Sequence, residues 1–165
     1  MVSTAATSLQ DTYATKVREL DEALAGFSSE TAGRRPADGE WCVKEALSHL
    51  CGEADALTMY GFRRFVEEDE PLIGIVTGLP YYSPERQAMS FEGLASKVRA
   101  QYGEIASYLG SLSQEQIERK ARVPLLKDTP FGENVTLAQW AQAAAGFHLM
   151  DHINQIRAAR DRLNA

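Results

Sequence analysis

Apolar residues return every three or four positions along much of the chain. Leu9, Tyr13, Val17, Leu20, Leu24 and Phe27 form one such stripe, which predicts an amphipathic helix over residues 8–27. Residues 29–39, with Gly33, Pro36, Asp38 and Gly39, read as a connector that ends just before Trp41. The next run, residues 43–66, lacks proline and is predicted as a second helix, stopped by Glu67, Glu68, Asp69, Glu70 and Pro71. Residues 72–84, punctuated by Gly74, Gly78, Pro80 and Pro84, read as an irregular loop, with a weak strand candidate over 72–76.

Ser90 begins a third helix whose stripe is Phe91, Leu94, Val98, Tyr102, Ile105, Tyr108 and Leu109, ending near Gly110. Ser113 and Gln116 fit a capping box for one short helix, and Pro124, Pro130 and Gly132 make residues 123–135 a loop. Thr136 then caps an alanine-rich fourth helix running from Leu137 to about residue 163. Four stripes of this kind bury one another most simply as an all-α four-helix bundle. The expectation is a single domain over residues 1–165, with long connections between helices two and three and between helices three and four. The functional site is expected at one mouth of that bundle.

Composition narrows the function classes. Lys plus Arg number 17 against 23 Asp plus Glu, a net charge of -6 with no basic cluster, which argues against nucleic-acid binding. The longest uncharged stretch, residues 134–150, holds Thr136, Gln139, Gln142 and His148 and is too polar for a membrane span. The first fifteen residues show neither a basic region nor an apolar run, so a cytoplasmic protein is expected. At nine residues apart, Cys42 and Cys51 would point to opposite faces of a continuous helix and are not expected to pair within it or to share an ion. No glycine-rich phosphate cradle occurs.

The candidate chemistry lies in the 3 histidines, His49, His148 and His152. His148 and His152 stand four residues apart on the fourth helix and share its inward face with Leu137, Ala141 and Ala144. Imidazole nitrogens on one helical face converge on a divalent ion at about 2.0–2.1 Å. His49, on the second helix, is the remaining histidine able to complete a three-nitrogen set with open positions for water or substrate. Two readings fit these residues equally: such a site, or three histidines that are hydrogen-bonded in the core or face solvent, since His49 stands at the edge of its helix's apolar stripe. Glu53, Asp151 and Gln155 stand three or four residues from a histidine and are candidates to orient the rings, with ordinary solvated charge as the alternative for the two acids. Trp41, Tyr60, Phe62, Phe65, Tyr81, Tyr82, Phe91, Trp140 and Phe147 are expected in the core or in a dimer contact, with Tyr60 the best candidate to line a pocket. Residues 70–84 are placed to cover the mouth.

The run Glu40-Trp41-Cys42-Val43-Lys44-Glu45-Ala46-Leu47-Ser48-His49-Leu50, together with His148, His152, Ile153, Gln155 and Ile156, resembles the motifs of the DinB/YfiT-like superfamily. The resemblance covers about a third of the chain in motif and the remainder in helix length and pattern. It implies a four-helix bundle, a divalent metal (Zn, Ni, Fe or Mn) held by His49, His148 and His152, and a homodimer. Family members with known activity include S-transferases and isomerases that use bacillithiol, mycothiol or glutathione, whose thiolate the metal is thought to activate. The resemblance therefore implies an enzyme that transfers a low-molecular-weight thiol to a small-molecule substrate. A hydrolase that activates water at the same site, or a non-enzymatic bundle with a stress or interaction role, are the alternatives.

Overall fold

The computed structural model describes residues 3–52 and 57–164. Its long helices are α1 (Thr4–Leu24), α3 (Val43–Cys51), α4 (Met59–Glu67), α6 (Phe91–Gly110), α8 (Leu137–Ala143) and α9 (Met150–Leu163), with short helices α2 (Ser29–Ala32), α5 (Pro84–Ala88) and α7 (Gln114–Ile117) between them. A π-helical segment, Ala144–Leu149, joins α8 to α9 without a break in the rod. Helix α1 packs between α6 and α9, and α3 packs between the same two on the other side, which closes the four-helix bundle. The expected stripes face inward: Leu9, Tyr13, Leu20 and Leu24 meet Leu94, Val98, Tyr102 and Ile105 in one core.

Local chemistry sets the starts of these helices. Ser3, Ser90 and Thr136 each accept a backbone N–H of the first turn, and Gln139 completes a capping box with Thr136. At α3, Glu45 Oε2 accepts the Cys42 N–H at 2.8 Å, fixing the point at which the chain turns into the helix.

The expected unbroken second helix is corrected. It is split into α3 and α4, because Gly52 adopts φ 55° and ψ -177°, a conformation open in practice only to glycine. Thr58, extended at φ -96° and ψ 174°, restarts the helix. The carbonyls freed at the end of α3 find partners: Arg86 donates to Ser48 O at 2.8 Å, Gly52 N–H to His49 O at 2.9 Å and the Gln101 amide to Leu50 O at 2.8 Å. The second difference lies in residues 113–136. The loop expected over 123–135 is closed by an antiparallel ribbon of β1 (Lys120–Arg122) and β2 (Asn134–Thr136), strands of three residues each and too short to show alternation in sequence. The weak strand candidate at 72–76 contributes one parallel bridge, Leu72 to Arg122. Among the described residues no helix is long and apolar enough to cross a membrane.

Candidate metal centre

His49 occupies the last turn of α3, His148 the π-helical segment and His152 the third position of α9, which follows it directly. The structure brings all three together: one ligand atom from each lies within 4.8 Å of the others. Ring centroids are 5.0 Å apart for His49 and His148, 4.6 Å for His49 and His152, and 4.8 Å for His148 and His152. All three histidines are half-buried.

Hydrogen bonds set which nitrogens face the centre. His49 Nδ1 lies 2.6 Å from the Leu79 carbonyl, which only accepts, so Nδ1 carries the ring proton and Nε2 keeps its lone pair. His152 Nδ1 likewise lies 2.8 Å from Gln155 Oε1, leaving Nε2 free. His49 Nε2 and His148 Nε2 stand 2.8 Å apart, where two lone pairs repel unless a proton or a cation lies between them. Nitrogens sharing one ion at about 2.0–2.1 Å stand about 3 Å apart when the angle at the metal is near 90°. The donor set therefore fits a divalent cation.

Burial, reinforced by the neighbouring histidines, holds His148 down from the ordinary 6.5 to about 3. Burial also lowers His152, against a Gln155 hydrogen bond that favours its protonated form. Both rings are thus neutral at physiological pH, with a lone pair that a cation could use. In metal-free protein the depressed values stabilise the fold fully above the unfolded value of 6.5, and that stability is lost as the pH falls from there towards about 3. Chelator-treated protein should show a urea midpoint that drops between about pH 7 and pH 5, and His148→Phe should flatten the drop. A midpoint equally flat in both proteins would contradict the buried neutral ring.

Of the residues expected to orient the rings, Gln155 does so directly. Asp151 is exposed and acts on His152 only through its charge, the smallest of the influences on that ring. The expectation for Glu53 falls outside the described residues. Neither Cys42 nor Cys51 joins the cluster, and burial raises both thiols above the ordinary value. Three further groups stand at the site that the sequence did not single out for it. Trp41 stacks on His152 with its ring centroid 6.0 Å away and a 3° interplanar angle, and also lies 5.2 Å from His49. Tyr81 stacks on His49 at 6.1 Å. The Leu79 carbonyl, with Tyr81 O accepting from Ser48 Oγ at 2.8 Å, pins the 72–83 loop against α3. Tyr60 does not line the histidine site: it is 54% exposed and lies under Arg64, because the break after α3 turns α4 away. Phe147, expected in the core or in a dimer contact, is 61% exposed and so lies outside this chain's core.

Beside the cluster opens a cavity of about 610 Å³ whose lining includes His148, Trp140, Ala143, Ala144, Phe131 and Leu125. Its walls come from the π-helical segment, from the 123–135 connection and from the 72–83 loop, so both long connections converge on the histidines.

The sequence pattern of the DinB superfamily matches residues 13–156. Among solved structures, YfiT from Bacillus subtilis matches with a TM-score of 0.75 at 18% sequence identity, over 99% of this chain and 91% of that one. That protein is described as a probable metal-dependent hydrolase with an unusual four-helix bundle topology. No curated protein matches the chain.

Proposed function

This chain belongs to the DinB superfamily, and from that premise we propose that it is a metal-dependent enzyme, with His49, His148 and His152 as ligands, that transfers a nucleophile to an electrophilic carbon. The observation that carries the reading is the convergence of three imidazole nitrogens, two of them oriented by acceptors behind the ring. A divalent ion bound by three neutral imidazoles supplies Lewis acidity and makes a water or a thiol nucleophilic near neutral pH. The residues of the chain do the rest. Leu79 O and Gln155 keep the ring protons on the Nδ1 atoms, Trp41 and Tyr81 wall the rings in, and the adjoining cavity holds the substrate out of bulk water.

Water is the preferred nucleophile. No described residue lining the cavity carries a formal charge, so nothing there would meet the carboxylates of glutathione or bacillithiol. The likeness to a structure described as a probable metal-dependent hydrolase supports the same choice. In hydrolysis of an ester the hydroxyl of water bonds to the acyl carbon, the C–O bond breaks, and a proton goes to the leaving alcohol. The test uses protein purified without nickel resin, loaded in turn with Zn, Mn, Fe or Ni, and offered esters and amides. Parallel reactions contain glutathione, bacillithiol or mycothiol with a chlorinated aromatic acceptor. Metal-dependent ester or amide cleavage without thiol is expected. Turnover only with a thiol would shift the reading to S-transfer, and silence in every arm would favour a non-enzymatic bundle.

A further inference from the structure

The cavity beside the histidines has a chemistry of its own. Thr77, Thr129, Trp140 and His148 supply the polar side-chain atoms of its described lining, and the rest is hydrocarbon. A charged ligand entering it would shed its hydration without an opposite charge to replace it. At about 610 Å³ the cavity is of the size that encloses a small molecule. Its openness has a local cause: Ala143 and Ala144, both nearly buried, put only methyl groups where the helix turns towards His148.

The surroundings point the same way. The large hydrophobics left exposed among the described residues are six, and four of them are at the opening itself: Val76 lies beside His49 and His148, Leu125 and Phe147 line this cavity, and Leu79 carries the carbonyl bonded to His49. Isolated exposed apolar residues are ordinary, but their concentration around one opening marks a place where apolar matter enters. The π-helical segment contributes both wall and chemistry, since Ala144, Phe147 and His148 all belong to it.

We infer that the cavity binds the uncharged hydrocarbon portion, an aliphatic chain or an aryl ring, of a carboxylic ester or amide, and that Ala144 limits how large that portion can be. The hydrocarbon binding follows from the lining itself; the identity of the cleaved bond rests on the hydrolytic reading above. A substrate seated this way brings its carbonyl to the His148 edge, where the cavity and the histidine cluster share a residue.

Calorimetric titration of chelator-treated, metal-free protein with 1-octanol, benzyl alcohol and octylammonium tests the pocket without reference to catalysis. Saturable binding of a neutral alcohol is expected, with octylammonium at least about tenfold weaker. Comparison of the two alcohols distinguishes chain from ring. Ala144→Phe should weaken alcohol binding at least about tenfold by filling the space. Leu125→Glu, on an exposed wall position that tolerates substitution, should do the same by placing a charge at the lining. Absent alcohol binding, or binding unchanged in both variants, overturns the inference whatever the metal does. With metal restored, kcat/KM for 4-nitrophenyl esters should rise from acetate to octanoate, and Ala144→Phe should abolish the rise. Alcohol binding without cleavage of any ester would retire the hydrolytic reading and leave the hydrocarbon pocket standing.

Discussion

Substituting His49 with alanine is expected to remove the metal from the protein. Wild-type protein should carry about one divalent ion per chain, and the variant should fall to background, with an affinity loss of more than about 100-fold. The size of the effect comes from where His49 sits. His148 and His152 are paired along one helical rod, and His49 is the nitrogen that arrives from α3, across the bundle. Without it, two imidazoles on a single helix face hold the ion from one side. Removing the ring also leaves the Leu79 carbonyl without its partner, which loosens the 72–83 loop at the edge of the site. Elemental analysis of protein purified without nickel resin, with circular dichroism to confirm helix content, reads the result. Asp151→Asn serves as the comparison and should retain the ion, because that carboxylate is exposed and does not bond to a ring. Full occupancy in His49→Ala would mean that other groups hold the ion.

His148 and His152 were legible in the sequence because their spacing is a property of one helix, and a π-helical segment ending just past His148 does not separate their faces. The third histidine of the cluster was legible only as a candidate. His49 lies at the edge of an apolar stripe, and what brings it inward is the packing of α3 against α9, a tertiary fact. The core stripes of α1 and α6 were readable for the same reason as the histidine pair, since periodicity reports on one element at a time.

The rest was hidden for identifiable reasons. The ring of His49 is oriented by a backbone carbonyl, and every residue has one, so no side chain at Leu79 announces the role. Trp41 precedes the first turn of α3, outside any periodic run, and its place against His152 depends on how the bundle closes. The π-helical geometry of Ala144–Leu149 differs from α-helix by one residue in hydrogen-bond spacing, and an alanine-rich segment accommodates either. The split of the second helix left only an ambiguous signal. Gly52 stands inside an otherwise helical, proline-free pattern, where a lone glycine is compatible with a continuous helix and does not by itself announce a break.

That split gives Arg86 the second large effect. Arg86 is 8% exposed, and its guanidinium donates to Ser48 O at 2.8 Å and Gly52 O at 2.6 Å, on either side of His49 in the chain. A cation held at the C-terminal end of a helix also meets the negative end of its dipole. Arg86→Met keeps the apolar stem but removes both donors, leaving two buried carbonyls at the end of α3. The expected cost is about 3 kcal/mol, a fall in Tm on the order of 10 °C for a chain of this size. Arg86→Lys should recover only part of it, since an ammonium lacks the planar fork that reaches two carbonyls at once. Because the turn it secures carries His49, the loss should also show as weaker metal binding in variant protein that is still folded at low temperature. A thermal shift of a degree or two, with metal affinity unchanged, would mean that Gly52 and the Gln101 amide suffice to end α3 and hold His49 in place.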